Sequence, residues 1–571
     1  MTSAAIRTRI GLGAAAGVAV ALMALAPVSG STPRFFDDDP ITRVPESQDA
    51  SGVAEWEIDL FYDLMYNTFG TPRTIKTGWR AQNLNTIEEV PDSGWFTNRI
   101  LATPVSAAQL LQGANTSADG GLDLRKGGKL TIIKPKDVGA APGAIVRGPG
   151  GETWFISFDP PCCPEAASGS IMVASRLFWA LGYWQAEQFL ATVREEDFEI
   201  SPDAVIRPPS GNKRPMKRDD LHTLLKRVYR YGDGSYRIAA SKLLPGKVLG
   251  GFRYHGTRSD DPNDIVPHEH RRELRALKVF GAWTNLTDMK AGNTIDTLVT
   301  DERGRKTVRH WLQDVGSTFG IGANGQHDWW EGWEPLYSGG VAWKRIYTLG
   351  FYLSPWQTAD YEKHDSIGIF EGKEFDPESW KPRSLPGAFL AARDDDNFWA
   401  ARRVVAFSDE MIRTVVKAAR FSDPAAEKLM ADVLIVRRDK IAKVYLPKIN
   451  PIVDVALDAS GVLTFANAAV DARVAEPPTG GYRAEWAVFD NATGQVRLLE
   501  PGTGTTATRV PAPSGLPTAD GTYIRVALSA VTPAIGSWAR PVHAYFKRTA
   551  GSWKLVGFER LTEQDARDGT S

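Results

Sequence analysis

Only two cysteines occur in 571 residues, and they are adjacent: Cys162 and Cys163. Neighbouring cysteines rarely close a disulfide, because the ring strains the peptide between them, so the chain is expected not to rely on crosslinks. With no third cysteine and no nearby histidine, metal or redox chemistry at the pair has little support, and an incidental loop pair is the expectation. An excess of either charge is lacking too. Against 67 Lys and Arg stand 68 Asp and Glu, which argues against a nucleic-acid or anionic-membrane protein held by net charge and leaves only a localised basic groove open. No run after the first thirty residues is long and apolar enough to cross a bilayer. Neither a Gly-x-Ser-x-Gly elbow nor a P-loop is visible, so a serine hydrolase or a Walker-type ATPase has little support.

The chain is rich in core-forming residues, 43% hydrophobic with 18 Trp, and its length implies two or three domains. Arg7 and Arg9, an apolar run from Ile10 to Ala26, and the small residues Val28, Ser29 and Gly30 read as a secretory signal over 1–30. A retained anchor is the alternative reading. The expected location is therefore exported, periplasmic or extracellular, with no stable membrane span after cleavage.

Trp56, Leu60, Phe61, Leu64 and Met65 recur at helical spacing and predict a helix packed on the main body. From Lys129 the pattern is β: LTIIK, a glycine-bearing loop, AIVRG, a Pro-Gly-Gly turn and ETWFISF. Ala166 to Gly182 predicts an amphipathic helix closed by glycine. A polar, Pro-rich and basic stretch from Ser201 to Asp220 predicts a surface loop. Further helices are expected at 271–283, at 409–419, and after Pro424, which suits a first helical position. Beyond Pro447 short alternating strands predict a β-sandwich-like domain.

The most informative stretch runs from Trp283 to Gly322. It places Asp288, Asn293 five residues later, and Asp314 before Val-Gly-Ser-Thr at the end of a hydrophobic strand. Phosphoryl transfer needs a carboxylate to orient the attacking group and two oxygen ligands to hold magnesium, and this order can supply all three. Each alone also fits a cap or a turn. His268, Glu269 and His270 lack the i, i+4 spacing that puts two imidazoles on one helical face, so a structural cap is expected there. His327, Asp328, Trp329 and Trp330 read as a packed aromatic loop.

In the stretches DDPNDIVPHEHRRELRAL, WTNLTDMKAGNTID and WLQDVGSTFG the chain resembles a group of exported bacterial proteins related to atypical kinases, whose wider relatives include the HipA-type toxin kinases, the CotH-type spore-coat kinases and the secretory-pathway casein kinases. The resemblance implies an α+β, two-lobed atypical protein-kinase-like fold over 129–447, with a small β-rich lobe over about 129–250 and a larger helical lobe over about 251–447. An N-terminal extension over 31–128 would precede it and a β-sandwich-like accessory domain over 448–571 would follow.

The resemblance further implies Asp288 as catalytic base and Asn293 and Asp314 as ligands of Mg or Mn on ATP or another nucleotide, with Gly316 letting the backbone turn beneath the metal. The acceptor hydroxyl, on protein, glycan or small molecule, is unspecified. One departure is plain. Relatives carry a Lys in a stretch like LKFDPP, paired with a Glu on the next helix, whereas this chain reads ISFDPP with Ser157 at that place and Ile171 at the helix position. Either Lys134 or Lys136 from a neighbouring strand or loop restores the charge, or the protein is a pseudokinase or envelope binding module. Nucleotidyl transfer is a variant of the first reading.

Overall fold

The computed structural model describes residues 32–563 and 565 apart from 46, 70–77, 118–120, 123–127, 137–141, 208–210 and 323. The signal expected over 1–30 and most of the glycine-bearing loop before AIVRG lie outside the described residues. Among the described residues no helix is long and apolar enough to cross a membrane.

The first helix, α1 (Leu60–Phe69), inverts the expectation from its spacing. Its buried residues are Asp63 and Asn67, while Phe61, Tyr62 and Phe69 face outward. Periodicity reports which residues share a face, not which way the face turns.

A six-stranded sheet follows, built from β1 (Leu130–Pro135), β2 (Gly143–Arg147), β3 (Thr153–Phe158), β4 (Gln188–Val193), β5 (Phe198–Ile200) and β6 (Tyr236–Lys242), in the order β4-β6-β3-β2-β1-β5. Alternation sends Val146, Trp154, Ile156, Phe158, Ile238 and Ala240 to one face, where they form a closed apolar cluster. A helix inserted between β3 and β4, α2 (Ala166–Leu181), packs against β3, β4 and β6. It ends where Gly182, at φ 121°, donates its N–H to the Phe178 carbonyl. A side chain there would strike the Phe96 ring, so glycine is needed both for backbone and for space. The expected loop at 201–220 contains a two-residue hairpin, Val205–Ile206 with Arg214–Pro215, and the start of α3 (Arg218–Leu225).

Beyond the sheet, α4 (Arg272–Arg275) and α5 (Leu277–Thr284) run almost continuously. A small antiparallel sheet of β7 (Lys247–Gly250), β8 (Ile295–Thr300) and β9 (Lys306–Trp311) follows the order β9-β8-β7. Then come α6 (Gly339–Tyr347), α7 (Asp394–Val405), α8 (Asp409–Val416) and α9 (Pro424–Tyr445), the last opened by Asp423 as cap and Pro424 in its first turn. After Pro447 the chain forms a three-stranded antiparallel sheet (Ile452–Leu457, Val462–Asn467, Arg509–Pro511) and a five-stranded one whose order is Val496–Thr505, Tyr482–Phe489, Tyr523–Ala530, Val542–Thr549, Ser552–Arg560. One apolar cluster runs without a break from α2, α5 and α9 into these C-terminal sheets.

The two cysteines correct the expectation of an incidental pair. Cys162 and Cys163 are joined to each other, because the turn closed by Cys163 N–H on the Pro160 carbonyl brings the neighbouring sulfurs together. Cys163 packs with Ala166 and Ile321, and Cys162 Sγ lies against Gly325.

Candidate functional site

Helix α5 stops at Asn285, which adopts the left-handed conformation at φ 56° and donates its N–H to Gly281. Asparagine tolerates that region better than most residues, and its Oδ1 is fixed by the Trp380 indole N–H at 2.8 Å. The chain therefore turns back, and Asp288 emerges half-buried three residues on.

Asn293 ends a tight turn, Ala291–Asn293. Its Nδ2 donates to the Asp288 carbonyl at 2.7 Å, and its own carbonyl accepts the Asp314 N–H at 3.0 Å. These two hydrogen bonds bring Asp288, Asn293 and Asp314 to one place. With the NH2 committed, the Asn293 side chain offers Oδ1. Asp314 uses Oδ1 to accept the Gly316 N–H at 3.1 Å, leaving Oδ2. An amide oxygen and a carboxylate oxygen are hard donors of the kind magnesium and manganese take, so Asn293 and Asp314 fit such an ion by their chemistry. Among the described residues no cluster of three His, Cys, Asp or Glu side chains forms a metal site.

Gly316 sits directly under α2: a side chain added to it would lie 2.9 Å from Ile171 Cγ1. The helix position read as replacing a glutamate thus abuts the Asp314 turn. Ser157 pairs with Gly143 on β2 and Ala239 on β6. Both lysines share its face of the sheet. Ile132 pairs with Val146 and Lys134 with Ile145, so a bulge at Ile133 shifts Lys134 away from the apolar cluster. Lys136 donates its N–H to Gly143, and its Cδ lies 3.7 Å from the Cβ position of Gly143, beside Ser157 in the ladder.

Several neighbours carried no sequence expectation. Lys290 Nζ holds Asp288 Oδ2 at 2.6 Å, a contact that an Asp-x-Lys spacing at a turn could have suggested. The loop after Asp314 is tied down by Ser317 Oγ and His327 Nε2 at 2.9 Å. Glu331 accepts from the Thr287 hydroxyl at 2.6 Å, so that carboxylate is committed one residue from Asp288. Glu165, buried at the start of α2, pairs with Arg237 of β6 and accepts the Ser422 N–H. That pair joins sheet to helix, and the Glu165 carboxylate is further spent on the Ser422 N–H and hydroxyl.

His268 binds Asp264 and the Arg253 carbonyl, while His270 Nδ1 faces Arg275, so the two imidazoles do not converge. His327 is buried as expected of a packed loop, whereas Trp329 is partly exposed. A cavity of about 440 Å³ lies elsewhere, between 85–102, α7 and the C-terminal sheets. Its Arg402 and Arg403 are spent on Glu89 and Asp454.

Helix α1 crosses the site. Asp63 Oδ2 approaches the Ala291 N–H at 3.5 Å, Leu60 packs on Gly292, and the Tyr66 ring lies tilted by 32° against His255 at 4.3 Å between ring centres. Burial, helped by the Arg253 charge, lowers the His255 pKa to about 4. Burial also lowers His327, against the pull of Glu331. In the unfolded chain both titrate near about 6.5. Protonation therefore favours unfolding: the His255 contribution is complete above about pH 6.5 and is lost as pH falls towards 4, and His327 acts in the same direction. Melting temperature should fall over that range, and His255→Phe, which keeps a ring against Tyr66, should flatten the fall. An unchanged slope would show that His255 stays solvated.

No protein-family model matches the sequence, and no curated protein matches it. Among solved structures, one described as the crystal structure of the golgi casein kinase aligns at 10% identity and TM-score 0.31, covering 71% of this chain and 93% of that one. A second, of the same kinase with Mn and ADP bound, aligns at 10% identity and TM-score 0.28, covering 71% and 95%.

Proposed function

We propose that the chain is an exported, two-lobed phosphotransferase of atypical kinase type, with the six-stranded sheet and α2 as the small lobe, α4 to α9 as the large lobe, and the C-terminal sheets as a sandwich-like accessory domain. The observation that carries this reading is the hydrogen-bonded run Asp288–Asn293–Asp314, set under α2 through Gly316 and Ile171.

Asp288 takes or orients the proton of the acceptor hydroxyl; Lys290 holds its Oδ2, so Oδ1 is the oxygen left for the proton. Asn293 Oδ1 and Asp314 Oδ2 would hold magnesium or manganese, which would supply positive charge to the phosphates of a bound nucleotide. Lys136 is the nearer substitute for the lysine that Ser157 lacks, because its stem lies over Gly143 beside Ser157. Nucleotidyl transfer would use the same residues with the nucleotide reversed.

ATP with Mg or Mn should raise the melting temperature, by an amount set by its concentration over Kd, and Asp314→Ala should abolish the rise. The missing Ser157/Ile171 ion pair favours a second reading, a pseudokinase or binding module. Stabilisation without turnover would support it, and no stabilisation with either metal would overturn the nucleotide site.

A further inference from the structure

Helix α1 is inside out for a protein bathed in water. Asp63 and Asn67 face the protein, while Phe61 is 73% exposed and Phe69 59% exposed. Hydrophobic burial would turn such a helix the other way unless its outer face met an apolar medium.

A second element shares the anomaly. Helix α6 has no buried residue, although nine residues are too few to hold a helix in water unaided. It and the residues after it expose Trp343 at 71%, Tyr347 at 91%, Leu349 at 86% and Phe351 at 85%. The two elements join through the Phe69 and Tyr337 rings, whose centres are 5.2 Å apart.

We infer that α1 and residues 336–353 form one surface that docks on a lipid bilayer. Charge supports this: from Pro335 to Ala359 the only charged residues are Lys344 and Arg345, and although Glu334 pairs with Arg345 at 3.5 Å, Lys344 leaves the segment mildly basic and suited to lipid headgroups. Glu57 and Asp59 precede α1 and limit the preference for anionic lipid. Shape supports it as well. Side chains exposed by more than four-fifths project as knobs rather than line a groove, and lipid conforms to knobs where a folded partner would need matching holes. Tryptophan and tyrosine also favour the bilayer interface.

The surface is rooted beside the candidate site. Leu336 N–H binds the Arg383 carbonyl, and Arg383 N–H binds the carbonyl of Thr287, next to Asp288. Resting on the proposed function, docking would present Asp288 to a hydroxyl acceptor carried at the membrane surface.

Vesicles of phosphatidylcholine with phosphatidylglycerol, mixed with the full chain, test this by hydrogen exchange and co-sedimentation. Exchange should slow over 60–69 and 336–353, and the combined variant Trp343→Ser, Tyr347→Ser, Leu349→Ser, Phe351→Ser should lower partitioning at least about tenfold. Pure phosphatidylcholine should bind within about tenfold of the mixture. Vesicle binding without slowed exchange there, which the apolar run at 10–26 would give, overturns the inference. So does equal partitioning of the variant, or the same protection arising in a dimer without vesicles. Stabilisation by ATP with Mn, measured on the same variant, is expected to persist, so loss of docking and loss of the nucleotide site are read separately.

Discussion

Asp396→Ala should cost about 3–5 kcal/mol of folding stability, the range for removing one partner of a buried ion pair. Asp396 is fully buried and accepts from Arg272 Nε and Arg275 Nη1, both at 3.0 Å. Its other role is local, since Oδ2 caps α7 by accepting the Arg393 N–H at 3.1 Å. Arg275 has no exposure at all, so without Asp396 its charge keeps, among the described residues, the Glu269 and Trp79 carbonyls and His270. Arg272 fares better, because Asp395 still holds it at 2.7 Å.

The ion cluster reaches Thr562 and Asp565 through Arg393, so its loss should loosen the chain there as well as α7. Removing both charges with Arg275→Met and Asp396→Leu should cost less than Asp396→Ala alone, since no buried charge is left unpaired. Breaking the exposed pair Lys428–Asp432 should change stability by at most about 0.5 kcal/mol. Urea midpoints at constant slope measure all three. A loss under about 1 kcal/mol for Asp396→Ala would mean that water reaches Arg275.

The same cluster shows what sequence reading can and cannot reach. Helix α2 was legible to its last residue, because Gly182 is a stop signal that acts through its own backbone. Strands β1 to β3 were legible from alternation and turns, all local signals. The role of HEHRRELR as an internal girder was not, since Arg272 and Arg275 lie more than a hundred residues from Asp396 and only the folded chain pairs them.

Within the site, the Asp-x4-Asn spacing marked Asp288 and Asn293, but the bond from Asp314 N–H to the Asn293 carbonyl spans two strands and has no sequence signature. The lysine question turned on a bulge. Without the extra residue at Ile133, alternation would put Lys134 on the buried face with Ile132. The Cys162–Cys163 bond and the outward apolar face of α1 went against general preferences, the first at a local turn and the second where Asp63 and Asn67 face the protein.

Asp288→Asn should lower phosphoryl transfer by about 10²- to 10⁴-fold, the usual worth of a positioned acid or base, and leave stabilisation by ATP with Mn nearly unchanged. The amide keeps the size of the carboxylate, so folding is a minor concern, and the carbonyl that anchors Asn293 belongs to the backbone. What is lost is an oxygen able to take a proton, together with the partner of Lys290. Lys136→Met separates binding from chemistry in the opposite sense. It removes a cation from the Ser157 face while keeping the stem that packs on Gly143, so apparent nucleotide affinity should fall about tenfold or more while Asp288 is untouched. Adding Ser157→Lys to that variant returns an ammonium to the neighbouring strand and should restore part of the affinity. If Lys136→Met binds nucleotide as the parent does, and Ser157→Lys adds nothing, the phosphates do not rest against this face of the sheet. If Asp288→Asn retains full turnover, the carboxylate is a turn residue and the chemistry resides elsewhere.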